Sequence, residues 1–175
     1  MVASVTCCHA AAYASEEEDA LKAAVILAFV QHTHWPDPLP NGGPLRVCAF
    51  GRPAFITALR GGVEGKLVDG HRLVVTEIKP AGEARGCQVL YFATDKPTEI
   101  KNELQVIGNA HVLTLGESDR FLEYGGGANL FLVDGHIAFE VSLSAIERGS
   151  VEISSKLLRF GQIHDLAKGT GKEIR

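Results

Sequence analysis

The residue types that usually carry chemistry are present in this chain, but their spacing builds none of the common reactive sites. Seven histidines would suit a transition metal. Ligands on one helix converge at four-residue spacing, whereas His32 and His34 are two apart in a predicted helix and diverge. His71, His111, His136 and His164 each read as surface or turn residues, so no metal is expected. A nucleophile elbow of the form G-x-S-x-G and a zinc helix of the form H-E-x-x-H are both absent. Gly51-Arg52-Pro53, the turn where a nucleotide would sit, lacks the spaced glycines of a dinucleotide cradle and the Lys-Ser/Thr pair of a phosphate loop. A phospho-receiver would need acids around its first strand, yet Leu45 to Gly51 has none and Asp95 stands alone after the third strand. No catalytic residue and no cofactor is expected, so the chain reads as non-enzymatic.

Three features survive. Cys48 lies within a predicted strand and Cys87 opens another; in a doubly wound sheet such strands are commonly neighbours. The pair is therefore either within disulfide reach or two buried thiols packing as small hydrophobes, and the redox compartment decides which. Glu140 interrupts the apolar strand Ile137 to Val141 and points either outward to solvent or inward toward a cation such as Arg159. Glu140 and Arg159 are the candidates for contact with a partner or ligand. Gly125-Gly126-Gly127 permits either a close backbone approach to a ligand or a turn into the following hairpin, and the turn is favoured.

The elements that must position these residues follow from periodicity. Ser15 with Glu18 has the form of a capping box, so a helix is expected to start there. Its apolar face is read as Leu21, Ala24, Val25, Ala28 and Phe29, and Trp35-Pro36 closes it. Asp37 to Pro44 reads as an extended loop. Leu45 to Phe50 is a strand, and Pro53 opens a helix carrying Phe55, Ile56 and Leu59. Strands at Arg72 to Ile78 and Gln88 to Ala93, a helix at Lys96 to Ile107 and a strand at His111 to Leu115 follow. Asn129 to Val133 and His136 to Leu143 flank Asp134-Gly135, a strong hairpin signal. Ser154 or Ser155 caps a last helix through Phe160. The predicted fold is α/β: a mostly parallel open sheet with flanking helices and a C-terminal antiparallel hairpin.

Composition bounds the function. The 175 residues suit one core, and a net charge of −4 with scattered Lys and Arg offers no footprint for nucleic acid or anionic lipid. The longest apolar run, Ala23 to Val30, stops at Gln31, well short of the roughly 18 residues that cross a bilayer, so the chain is not expected to be membrane-spanning. Residues 1–14 are small and apolar and end Ala12-Tyr13-Ala14, the small-x-small form of a signal-peptidase site. They are expected to be the end of an export signal, residues 15–167 a single domain, and 168–175 a polar tail.

In order and spacing, several segments resemble the YfiR-like family. These are Lys22-Ala23-Ala24 through Phe29-Val30 to Trp35-Pro36, Leu45 through Gly51, Gly86-Cys87-Gln88-Val89-Leu90-Tyr91, Val112 through Gly116, and Ile153 through Arg159. The resemblance runs from about Leu21 to Ile163. It implies a periplasmic repressor of an inner-membrane diguanylate cyclase, acting on the cyclase's periplasmic sensor region and released through an outer-membrane lipoprotein. It also implies a homodimer, a redox response, and a disulfide between Cys48 and Cys87, which match the family's cysteine pair. One departure is that no cysteine follows Cys87, so the second bridge of some family members cannot form. The alternative function is a small-ligand-binding periplasmic sensor domain without catalytic activity.

Overall fold

The computed structural model describes residues 6–36, 43–79 and 83–164. The polar tail expected at 168–175 and most of the loop after Pro36 lie outside them. In chain order the elements are α1 (Thr6–Gln31), β1 (Thr33–His34), β2 (Leu45–Gly51), α2 (Pro53–Val63), β3 (Leu67–Val68) and β4 (His71–Glu77). A 3-10 turn (Glu83–Gly86), β5 (Val89–Ala93), α3 (Pro97–Ile107), β6 (Leu113–Gly116), β7 (Ala128–Val133) and β8 (His136–Ser142) follow. The chain continues with α4 (Leu143–Arg148), β9 (Glu152–Ile153), α5 (Ser155–Leu158) and β10 (Gln162–His164).

Eight strands form one sheet in the order β10-β8-β7-β6-β5-β2-β4-β3. The pairs from β7 through to β4 are all parallel, and β7–β8 is the antiparallel hairpin that Asp134-Gly135 announces. Asp134 and Gly135 have φ of 49° and 78°, the positive pair that a type I′ turn requires. The predicted α/β class and hairpin therefore stand. The short pairings β1–β9, β3–β4 and β10–β8 and the helix α4 were not anticipated, because two- and three-residue strands carry no readable period.

The sheet is covered on both faces, as near-continuous apolar strands require. One face packs against α1 and α2: Val47, Ala49, Leu113, Leu115, Leu130 and Phe139 meet Ile26, Phe29, Phe55 and Leu59. Phe55 stacks on Tyr91 with ring centroids 4.3 Å apart, and Phe29 meets Phe139 edge-on at 5.0 Å. The opposite face packs against α3 and the loop after β6, where Phe50 meets Phe92 edge-on at 5.0 Å and Phe92 meets Phe121 at a tilt at 5.1 Å. Burying each of these rings contributes about 1.5–3 kcal/mol. Among the described residues no helix is long and apolar enough to cross a membrane.

Two expectations for the first helix need correction. Ser15 does not start it: α1 runs unbroken from Thr6, since Ala10, Ala11, Ala12 and Ala14 are strong helix formers and nothing there stops the helix. The buried stripe is Ala23, Ile26, Phe29 and Val30, while Leu21 is exposed. Apolar residues lie on every side of this helix, so its pattern does not mark which side faces the core. The helix also stops before Trp35-Pro36. The Thr33 hydroxyl donates to the Phe29 carbonyl at 2.7 Å, and Thr33–His34 leave the helix to pair with β9. His34 consequently sits on a strand, not a helix.

Candidate functional site

Strand order determines where an open parallel sheet can hold a site. From β2 the chain crosses to β4 on one side and then returns to β5 on the other, so a crevice opens between the carboxyl ends of β2 and β5. Gly51 ends β2 with φ +116°, and any side chain there would collide with the Ala93 carbonyl. The Arg52 amide donates to that carbonyl at 3.0 Å, knitting the two strand ends together. Arg52 then caps α2, and Pro53 begins it with a φ already suited to the helix.

The crevice, about 610 Å³, is floored by charge. The Arg52 guanidinium donates to both oxygens of Asp19, at 2.8 and 3.1 Å, and to both oxygens of Glu117, each at 3.1 Å. Glu117, directly after β6, also accepts from Lys22 Nζ at 2.7 Å and from the Tyr91 hydroxyl at 3.1 Å. Lys22 reaches back one turn to Glu18 at 2.6 Å. Asp19 and Lys22 continue the buried stripe of α1 past Ala23. That stripe turns from apolar to charged where the helix passes the strand ends. The rim carries Thr94, Asp95, Lys96 and Glu99, with Lys96 paired to Glu99 at 3.0 Å.

The side chains of Asp19 and Glu117 are 4% and 11% exposed, so each charge needs its partner. Burial pushes the Glu117 carboxyl up, but hydrogen bonds from Arg52 and Lys22 outweigh it and hold the group below the usual carboxylate range. Burial likewise opposes the charge on Lys22, and its bonds to Glu117 and Glu18 raise it nonetheless. Asp19 and Glu117 keep Arg52 charged at any accessible pH. Burial, then the Glu117 charge, drives the Tyr91 phenol far above its ordinary value. All four groups are thus driven away from exchange near neutrality, the opposite of what general acid–base catalysis wants. The arrangement is an electrostatic lock that pins α1 across the sheet.

The residues singled out from the sequence lie elsewhere. Cys48 and Cys87 are disulfide-bonded, with Cα atoms 5.9 Å apart. β2 and β5 are neighbours, and the turn at Glu83–Gly86 brings the chain back so that Gln88 N bonds Arg46 O at 3.0 Å. Cys87 therefore falls beneath Cys48 although it precedes β5. Glu140, with a side chain 20% exposed, accepts from Asn129 Nδ2 at 3.2 Å and lies 3.1 Å from His164 Nε2. Arg159 ends α5 and places its guanidinium 6.0 Å from the Phe160 ring centroid. Glu140, on β8 beside β10, and Arg159, at the end of α5, do not form the pair considered for them. His32, His71 and His136 each bond a backbone carbonyl through Nδ1. Among the described residues no group of three or more His, Cys, Asp or Glu is placed to hold a metal ion.

Asp19, Lys22, Arg52, Tyr91 and Glu117 were not foreseen. Two signals pointed to them: the four-residue spacing of Glu18 and Lys22, and the position of Arg52 and Glu117 immediately after β2 and β6, the strands on either side of β5 in the parallel sheet.

The model of the YfiR/HmsC-like family, DUF4154, matches residues 19–162. The chain belongs to this family, whose members are regulators of cyclic di-GMP signalling in the periplasm, not catalysts. Comparison with curated proteins gives no match. Among solved structures, a conserved domain protein from Vibrio cholerae O1 biovar El Tor is similar at 15% identity and a TM-score of 0.49, over 67% of this chain and 54% of that one. This chain therefore spans about half the length of that protein.

Proposed function

We propose that the chain is a periplasmic brake that represses an inner-membrane diguanylate cyclase by binding the cyclase's periplasmic sensor region, without catalysis of its own. The observation that carries this is the family match, which spans the fold from Asp19 in the charge lock to Gln162 on the edge strand. In this reading the protein is exported by the segment ending at Ala14. It works as a homodimer of the domain at 15–167 and is released by an outer-membrane lipoprotein. The recognition surface is the β8–β10 edge, where Glu140 faces β10 with its exposed Ile163, and where Arg159 and the exposed Phe160 lead into β10. Such a mixture of apolar anchors and partly exposed charge suits a protein partner. The Cys48–Cys87 bond supports the repressing fold, so its reduction weakens repression.

The sign of a deletion tests the reading. Removing the gene should raise cellular cyclic di-GMP and biofilm, and the full chain supplied in trans should bring both back down. A fall in cyclic di-GMP, or no change while the cyclase is expressed, would overturn the repressor role.

A further inference from the structure

We infer that a second, smaller cleft between α3, α4 and the turn after Tyr124 binds a compact anion bearing a phosphate or carboxylate group. Its volume is about 210 Å³, and its lining includes Lys101 and Arg148 but no carboxylate. In a chain of net charge −4, a concavity that presents only cations is the reverse of what average composition would produce. Arg148 Nε donates to the Ser144 carbonyl on its own helix at 3.3 Å, which fixes the plane of the guanidinium. Its terminal nitrogens lie against Gly125, and no acceptor is seen for them among the described residues. Lys101 holds its ammonium 4.8 Å from the Tyr124 ring centroid, a cation–π seat that supplies no counter-charge. Arg120 approaches the same ring but is already paired to Glu123 at 2.6 Å. Thr114, also in the lining, accepts from the Gly127 amide at 2.9 Å, so its hydroxyl proton is left to donate.

The C-terminal ends of α3 and α4 oppose an anion, an effect the cations must outweigh and one reduced where Gly108 N, Ala110 N, Gly149 N and Ser150 N bond the carbonyls of Leu104, Ile107, Ala145 and Glu147. The three consecutive glycines also divide by role. Gly126 is required by the Phe121 ring and Gly127 by the Thr114 carbonyl, whereas Gly125, required by its φ of +101°, is the one of the three that lines the cleft, beside Arg148. A planar fork and an ammonium lining one small space suit an oxyanion.

The test is titration of inorganic phosphate into the full chain, followed by backbone amide shifts, with chloride holding ionic strength constant and acetate as a parallel arm. Saturable shifts confined to residues about Lys101, Thr114, Gly125 and Arg148 are expected, and the tighter of phosphate and acetate assigns the anion's class. Arg148→Gln should weaken binding about tenfold or more, the loss of charged hydrogen bonds, and Lys101→Gln should also weaken it, whereas Arg120→Gln should leave it unchanged. Should Arg148→Gln lower the melting temperature, the exposed Lys101→Gln decides alone. Shifts that fail to saturate, that spread over all surface cations, or that persist in both variants would overturn the site. None of these readouts involves the cyclase, so the repressor reading stands or falls separately.

Discussion

The middle and the edge of the sheet solve different problems. At the middle, β2 and β5 are joined by the Cys48–Cys87 bond on one face, covered by the Phe55–Tyr91 stack on the other, and closed at their carboxyl ends by the Asp19–Arg52–Glu117–Lys22 lock. Every charge in that lock has a counter-charge within 3.1 Å. At the other extreme β10 is three residues long and exposed throughout, and Glu140 beside it is only partly covered. Exposed strand edges invite pairing with other chains, and proteins normally blunt them. Here shortness and the charge of Glu140 limit the edge without hiding it. Covalent closure and paired buried charge are concentrated at the middle, and partly exposed charge is left at the edge. Substitutions at the two places should therefore separate stability from repression.

The largest effect is expected at the disulfide. The bridged residues are 39 apart in sequence, and closing a loop of that length stabilises by about 4 kcal/mol in the chain-entropy model. Replacing Cys87 by Ser should lower stability by an amount of that order in denaturant melts. It should weaken repression only in proportion to the unfolded fraction. Thiol-blocking mass spectrometry of unreduced periplasmic protein gives the independent check. Two blocked free thiols, or a variant as stable as the parent, would remove the bond from the middle's account.

A smaller loss is expected from opening the lock. Glu117→Ala takes one of two counter-charges from Lys22, buried at 5% exposure, and from Arg52, leaving each with a single carboxylate partner, Glu18 and Asp19. Removing one partner of a buried network costs about 3 kcal/mol, and the 41% exposure of the Arg52 side chain argues for about 2 to 3 here. The pH dependence carries a sign. Because the folded protein holds Glu117 below its ordinary value, its contribution is full above the ordinary carboxylate range and is lost as pH falls through the lowered folded-state value. Lys22, raised in the fold, contributes at all pH values below its ordinary range and loses that contribution only in strong alkali. Acid melts of Glu117→Ala should therefore be flatter than those of the parent. Equal slopes would mean that Glu117 is not the group being titrated.

The two regions also differ in how far the sequence exposes them. The strands of the middle are legible because each is an apolar run bounded by Gly or Pro, and Pro53 and Pro97 mark the helix starts. The same pattern puts Cys48 on β2 and Cys87 just before the neighbouring β5. The lock is hardly legible. Its partners lie 26 to 95 residues apart, apart from Glu18 and Lys22, and no local pattern links Asp19 to Arg52 or Tyr91 to Glu117. Scanning the strand-end turns for cofactor fingerprints passes over single charges, which become a site only once the topology assembles them. The edge is intermediate: the hairpin is announced by Asp134-Gly135 and Glu140 by its break in an apolar run. β10 has only Gln162-Ile163-His164 to announce it, and its pairing with β8 depends on α5 having turned the chain back.

The smallest effect on stability, and the sharpest test of the contrast, belongs to Glu140. Glu140→Gln keeps the length of the side chain and an acceptor for Asn129 Nδ2, so what it removes is mainly charge at a partly solvated position. Exposed or half-exposed ion pairs contribute about 0–1 kcal/mol, which puts the expected change in stability within about 0.5 kcal/mol of the parent. If the β8–β10 edge is the recognition surface, repression should respond differently, because a charge desolvated by a partner loses far more than one facing water. The comparison to make is cyclic di-GMP in cells carrying Glu140→Gln, Glu117→Ala or the parent, at matched periplasmic levels of folded protein. Loss of repression by Glu140→Gln at parental stability, with Glu117→Ala repressing in step with its folded fraction, is the expected pattern. If Glu140→Gln represses like the parent, recognition lies elsewhere on the molecule. If it unfolds the chain, Glu140 belongs with the rigid middle, and the division between the two regions does not hold.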